Sequence, residues 1–598
     1  MKMNLKKMRL PMGVFAIALS LFSMTSCGVF EDGTINIDDY VGVSKAPDFD
    51  PSKPITITGF TPETGGVGQQ IVIKGTNFGN DTSLVDLKIG NKQAVVVSVK
   101  GDCMYAYVPS KAFLGNIELS IGNQSTGVQS CVAEKKFVYD RKMVVGRLAG
   151  YRNADDTQGW VDGPFDGEDG VRYAGAQKDG IMQFSPYNHD QLFVLYDQEP
   201  FSVGTQHGIQ LIDLKKRRID TIIPLGKFNN ERIRTIDFAV DPFQYSERGE
   251  LIGYADAQWV KNQATPNELR WREHLIVVGD NWDVNYKAHC VYIVDRDQQG
   301  NFSNNSKVTQ LCNYNQCNSA VVLPFDESKG ETYHKELYFT CYTDGTILRL
   351  DFDAYWDKVY EIATYVPDEE DPNAKAPDAW NPNGRENDAI ELLYQVQDTG
   401  YEMQLDVHPS GKYAYIVVIN RYYVLRTDYD EESRRFLPAY TIAGSLGDAG
   451  LQDGVGTNAK FSRPYQGTFV KNDEYEAAGK ADIYDFYISD NTSTYNIDVN
   501  DSRAANAIRL LTPEGIVRTY AGGSRNTHAD NRAYGSENGE LRDVARFNRP
   551  TGIVNDVHVD KVTGNNTLIF YILDTGNRQF RTITIEEPDD EEMEGVNE

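Results

Sequence analysis

Positive charge, histidine, cysteine and long apolar runs are all scarce in this chain. Lys and Arg number 59 against 87 Asp and Glu, a formal net charge of −28 over 598 residues. Nucleic acid is therefore disfavoured as a partner unless a local basic patch overrides the field. Eight histidines, among them His207, His289, His334, His408, His528 and His558, form neither an HExxH motif nor a placeable Ser/His/Asp arrangement. Support for catalysis is correspondingly thin, and the enzyme question stays open with the balance toward no. Beyond one N-terminal stretch, no segment is apolar enough to cross a bilayer as a helix. Against these deficits stand 35 tyrosines and an apolar content of 40%, which suit a strand-rich globular chain long enough for several domains.

The N-terminal stretch has the order of a targeting segment. Lys2, Lys6, Lys7 and Arg9 precede an apolar run from Met12 to Phe22, too short to span stably. It ends in Met24-Thr25-Ser26-Cys27, which resembles a bacterial lipobox with Met where Leu is usual. The resemblance implies cleavage after residue 26, lipidation of Cys27 and a lipid-anchored protein. Glu31-Asp32, just behind Cys27, resembles the surface-export signal of Bacteroidetes lipoproteins, which implies an outer-membrane protein facing the cell exterior. A flexible acidic tether is the plainer reading of the same residues. Residues 27–53 are polar and carry Pro47 and Pro51, as a tether would.

From Pro54 to Tyr139, short alternating runs are broken by Gly, Asn and Pro, and they predict a small β-sandwich over 54–140. Gly59-Phe-Thr-Pro62, Gly65-Gly66, Val72-Ile-Lys-Gly75-Thr-Asn77-Phe78-Gly79, Ile89-Gly90 and Phe137-Val-Tyr139 fall in the order of the IPT/TIG immunoglobulin-like domain, which this segment resembles. Gly75 and Gly79 are expected to flank a turn that needs positive φ, and Gly90 to end a hairpin. Such domains are usually spacers or interaction modules.

The remainder is organised by a repeat. Thr441-Ile-Ala-Gly444 leads through Asp453-Gly454 to Phe461-Ser-Arg463-Pro464, and Thr519-Tyr-Ala-Gly522 leads through Tyr534-Gly535 to Phe547-Asn-Arg549-Pro550. An offset of about 80 residues between strand-only units points to a propeller. Phe570-Tyr-Ile-Leu-Asp574-Thr-Gly-Asn577-Arg578 resembles the NHL family of propeller repeats. The fold expected is therefore all-β, an Ig-like sandwich followed by a six-bladed NHL-like β-propeller over residues 141–586. An acidic tail, 587–598, follows. Met143–Ala149 has the sequence of an outermost strand and is expected to complete the last blade, removing two sheet edges.

Long inserts gather on one mouth of such a ring, and residues just after each second strand surround it. These are Asp197, Trp282, Tyr342, Asn420, Arg421, Tyr422, Asp490 and Asn491, with Trp160 and Trp380 on the same face. Aromatic faces stack on sugar C–H groups, while amides, carboxylates and Arg take hydroxyls, so the set suits a glycan. The competing reading is that these side chains cap turns and pack between blades. Arg421 with Tyr422 is the only pairing that suggests lyase chemistry. Calcium in the loop Asp498 to Asp501 is the one cofactor left open; otherwise none is expected. Cys103, Cys131, Cys290, Cys312, Cys317 and Cys341 permit disulfides or buried thiols alike, and Cys103–Cys131 would lie within the sandwich.

Three functions remain in play. The first is a non-catalytic, glycan-binding surface lipoprotein, which resembles accessories of Bacteroidetes glycan uptake and would work beside outer-membrane transport or surface proteins. The second is a protein-interaction scaffold, and the third a polysaccharide lyase or hydrolase.

Overall fold

The computed structural model describes residues 47–150, 162–166, 179–196, 208–228, 232–263, 266–367, 375–492, 503–523 and 534–588. The chain divides into two compact units. Of the described residues, the first holds those within 47–142, 560–565 and 586–588, and the second those within 143–559 and 566–585.

In the first unit, strands Thr56–Thr61, Gln70–Gly79 and Val95–Tyr107 form one sheet. Lys92–Gln93, Val85–Ile89, Ile117–Asn123 and Gly127–Val132 form the other, and Ile71, Ile73, Phe78, Leu87, Met104 and Leu119 pack into the core. Val95–Tyr107 is a single strand of 13 residues. Gly79 and Gly90 have φ of 75° and 58° as expected, with Asn77 at 63°. Gly75 does not. It lies in extended backbone, where a Cβ would meet the Thr56 carbonyl oxygen at 1.9 Å and the Phe78 ring at 2.3 Å. Close approach, not turn geometry, requires that glycine. Cys131 is a free thiol, so the Cys103–Cys131 bridge is not made.

Among the described residues the second unit has six antiparallel sheets, each a four-stranded meander with short additional strands on some, and a two-stranded ribbon of Phe243–Tyr245 with Leu251–Tyr254. The first strands of the six sheets are Gly180–Ser185, Ile233–Val240, Cys317–Val322, Met403–Val407, Pro464–Lys471 and Pro550–Val559. Each of these lies against the first strand of the next sheet, and the sixth lies against the first. Second strands such as Glu336–Cys341 and Tyr413–Val418 are buried along their whole length. They read as continuous apolar or aromatic runs because both faces are covered. Met143–Ala149 pairs with Gln579–Ile585, from Met143 opposite Ile585 to Ala149 opposite Phe580, and so completes the sixth sheet.

Among the described residues four α-helices depart from the strand-only expectation: Ala257–Asn262, Pro266–Leu269, Asp473–Ala477 and, the longest, Phe352–Thr364. The longest is capped by Asp351, whose carboxylate accepts from the Asp353 N–H at 3.1 Å. Phe352, Tyr355, Trp356, Val359 and Tyr360 recur at helical spacing and pack onto the second and third sheets. The same apolar density reads as strand when the period is not counted.

A first strand has one edge with no strand beside it, and its buried N–H groups need other partners. Neighbouring side chains supply them. Asn318 Oδ1 accepts from Met403 N–H at 2.7 Å and Ser319 Oγ from Leu405 N–H at 3.0 Å. Gln466 joins three sheets: its Oε1 accepts from Met182 and Ile553 N–H, both at 3.1 Å, while Nε2 donates to the Met182 carbonyl at 2.8 Å. Asp237 accepts from Val322 N–H at 2.9 Å and Gln183 Nε2 at 2.8 Å.

The repeated residues form a lock. Asp490 Oδ1 accepts from Ser462 and Arg463 N–H at 2.9 and 2.8 Å, and its Oδ2 from Arg509 Nη1 at 3.0 Å. Arg509 also donates to the carbonyls of Lys460 and Gln452. In the next unit Asp574 takes Asn548 N–H at 2.7 Å and Arg581 Nη1 at 2.9 Å, and Arg581 reaches the carbonyls of Arg546 and Glu537. Both pairs are fully buried. Burial lifts Asp490 and Asp574 to about 6 although each touches a guanidinium. Arg509→Met leaves the Asp490 charge uncompensated and is expected to lower the thermal midpoint by about 5 °C or more, followed by circular dichroism.

Asp237 and Asp406 stand on first strands. Burial, with repulsion from Asp237, pushes Asp406 up to about 8, and burial pushes Asp237 up to about 6. The native chain thus holds protons that the unfolded chain releases above the ordinary carboxylate pKa. That contribution is full at acid pH and is lost as pH rises toward 8, by at most about 1.4 kcal/mol per pH unit for each group. The thermal midpoint of Asp406→Asn is expected to rise relative to wild type as pH increases, standing further above it at pH 8.5 than at pH 4. Parallel melting curves at both pH values would contradict this.

Candidate functional site

The N-terminal ends of the first strands and the C-terminal ends of the second strands share one face, since the pairing sets Pro464 opposite Asp490, Pro550 opposite Asp574 and Met403 opposite Val418. A chain of ion pairs runs along it. Arg549 Nη2 meets Asp179 at 3.0 Å, and Arg463 joins Asp179 at 3.1 Å to Glu402 at 2.8 Å. Arg234 continues from Glu402 at 3.0 Å to Asp280 at 3.2 Å, where Arg232 also binds at 3.2 Å. Burial pulls the Arg463 guanidinium down, and the Glu402 and Asp179 carboxylates more than restore it.

The chain of charges ends on an aromatic ring. Tyr342 Oη donates to Asp280 at 2.8 Å, and burial and that carboxylate push the hydroxyl well above its ordinary value. Tyr342 forms the floor of a pocket of about 320 Å³ between the third and fourth sheets, lined also by Thr343, Asp344, Gln397, Asp398, Tyr401 and Arg421. Tyr401 stands at the rim, 71% exposed, edge-on to Tyr342 with ring centroids 6.2 Å apart. Arg421 Nε donates to Asp398 Oδ1 at 2.7 Å across the mouth.

The backbone around this pocket is strained. Asp398, Tyr401 and Tyr422 have φ of 49°, 68° and 67°, and Gly400 has 61° between the first two. Each non-glycine residue in the left-handed region costs on the order of 1 kcal/mol or more, and such residues cluster at ligand sites. The surrounding bonds hold them there. Asn420 Nδ2 donates to the Gly400 carbonyl at 3.1 Å, Ile419 N–H to the Glu402 carbonyl at 3.1 Å, and Thr399 Oγ1 to the Tyr342 carbonyl. Gly345, φ 72°, lies so close to the Val396 carbonyl that a Cβ would sit 1.8 Å from its oxygen.

Of the residues singled out from sequence, Tyr342 and Arg421 come together in the pocket. Trp282 is 63% exposed on the loop after Glu273–Gly279 but does not line it. Asn420 braces the loop and accepts from Arg463 Nε at 3.3 Å. Asp490 and Asn491 are fully buried, Asp490 in the lock and Asn491 beside Arg463, so the capping role prevails at both. Tyr422 is half-buried against the core and, unlike Arg421, does not line the pocket. Trp380 is not a platform either. Its Nε1 donates to the Leu311 carbonyl at 2.8 Å and its ring packs on helix residue Tyr355. Cys27, Trp160, Asp197 and the loop Asp498 to Asp501 lie outside the described residues. Among the described residues no group of three or more His, Cys, Asp or Glu is placed to hold a metal, and no helix is long and apolar enough to cross a membrane. Sequence reasoning missed Tyr401, Asp398 and Asp344. Arg463 and Arg549 were visible as the Arg of the repeated Arg-Pro.

Residues 54–139 match the IPT/TIG domain. No curated protein matches the chain. A Bacteroides thetaiotaomicron protein of known structure, described as a candidate phosphatase, is 36% identical over 91% of this chain and 99% of its own, with a TM-score of 0.71. The chain belongs to the family of this Bacteroides protein. A second B. thetaiotaomicron structure, of an auxiliary nutrient binding protein, is 31% identical over 90% of this chain and all of its own, with a TM-score of 0.63. An auxiliary nutrient binding protein of Bacteroides ovatus is 26% identical over the same shares, with a TM-score of 0.53. Relatives in this family carry two different functional descriptions, so membership fixes the architecture and leaves the chemistry to the site.

Proposed function

We propose that this chain is a lipid-anchored protein of the outer membrane that binds a poly- or oligosaccharide as a non-catalytic accessory of nutrient uptake. In this reading Cys27 carries the anchor and the IPT/TIG domain is a spacer. The six sheets are the blades of an NHL-like propeller whose mouth presents the pocket to the exterior. Two relatives described as auxiliary nutrient binding proteins support a nutrient ligand. The observation that carries the glycan reading is the pocket itself. An exposed Tyr401 ring is set above Tyr342, ringed by Thr343, Asp344, Gln397, Asp398 and Arg421, and held on strained backbone. A sugar offers C–H faces to such a ring and hydroxyls to such side chains, and a shallow preformed site avoids ordering costs on binding.

Affinity electrophoresis through gels of plant, host and microbial polysaccharides tests this, with a reducing-end assay on each mixture. Retardation without new reducing ends is expected, and Tyr401→Ala is expected to weaken it about tenfold or more, as loss of an aromatic anchor does. New reducing ends would make the protein a glycan-cleaving enzyme. Phosphate release from a phosphomonoester, absent any retardation, would favour the activity named for the 36%-identical relative.

A further inference from the structure

The charge balance of the pocket goes further than the class of ligand. Two carboxylates line it, Asp344 and Asp398, against one guanidinium, Arg421. Arg421 is already engaged, through Nε at 2.7 Å, by Asp398, which is 51% exposed. Asp344 uses Oδ1 on the Thr346 hydroxyl at 2.7 Å and N–H at 3.3 Å and is exposed at the mouth. Beneath them Asp280 holds the Tyr342 hydroxyl. Arg234 and Arg232 are bound to Asp280, and neither lines the pocket. The whole chain adds a field of the same sign, at a net charge of −28.

We infer that the pocket selects uncharged glycans and turns away uronate-bearing ones, with Asp344 and Asp398 as the discriminating residues. The inference rests on the glycan-binding reading above. A hydroxyl group can donate to the carboxylates and accept from Arg421 and Gln397, so a neutral sugar uses every polar group as it stands. A sugar carboxylate can only accept. At Arg421 it would share the guanidinium with Asp398 and face that charge across it, with Asp344 also lining the pocket. Like charges a few ångströms apart at a partly solvated site oppose one another strongly enough to cost about a factor of ten in affinity.

The matched probe is polygalacturonate beside its carboxyl-reduced, neutral form, with a neutral glucan and mannan as further lanes, in low and in high salt. Wild type is expected to be retarded at least tenfold more by neutral glycans than by polygalacturonate in low salt, with the gap narrowing as salt screens the field. Asp344→Asn with Asp398→Asn should close most of that gap, and Asp344→Asn alone part of it, while circular dichroism shows the fold kept. Retention by polygalacturonate equal to or tighter than by its reduced form would overturn the inference and leave glycan binding standing. An unchanged ratio in the double variant would overturn the role of the two carboxylates. Retention by none of the glycans would overturn the glycan-binding reading itself.

Discussion

The mouth of the second unit depends on a chain of buried ion pairs. From Arg549 through Asp179, Arg463, Glu402 and Arg234 to Asp280, it ties together the strand ends of the first, second, fourth, fifth and sixth sheets, and through Tyr342 it reaches the third. Each link removes a charge from water, which is tolerable only because every carboxylate oxygen and most guanidinium nitrogens find partners. Hydrophobic packing can hold six sheets together, but it does not fix where each strand end stands. Directional, charge-assisted bonds do. Glu402 is the middle of that chain and also closes the strained loop that carries Asp398 and Tyr401, so scaffold and pocket share one residue.

That division of labour explains what was legible in the sequence. Strand positions were readable from apolar runs bounded by Gly and Asp, and the repeat gave the sheet spacing. Even the addition of Met143–Ala149 to the last sheet, more than four hundred residues away in sequence, followed from a missing outer strand, although its register did not. The helix Phe352–Thr364 was not read, since its aromatic stripe resembles strand composition until its period is counted. The site was half legible. Tyr342 and Arg421, which line the candidate pocket, were singled out because they follow second strands, whereas Tyr401 and Asp398 lie beside a long insert, where no periodicity locates a residue. Asp490 and Asn491 follow the same positional rule as Tyr342 but are consumed by the lock with Arg509 and Arg463. Position alone does not separate a ligand group from a cap; the number of partners already satisfied does.

The pocket also shows why family membership and function part company. The architecture is shared with the Bacteroides proteins, and in this chain the buried Asp490–Arg509 and Asp574–Arg581 pairs that support it do not line the pocket. The pocket is made from Gln397, Asp398 and Tyr401 on one insert, with Thr343, Asp344 and Arg421 at turn positions, where substitution costs the fold little.

The most direct test of this account is urea unfolding of Glu402→Gln beside wild type at pH 7. The substitution keeps the shape and removes the charge that two buried arginines share. The account predicts a loss of about 3 kcal/mol or more with an unchanged dependence on urea. A midpoint indistinguishable from wild type would contradict it, and would mean that packing alone holds the strand ends and the pocket they support.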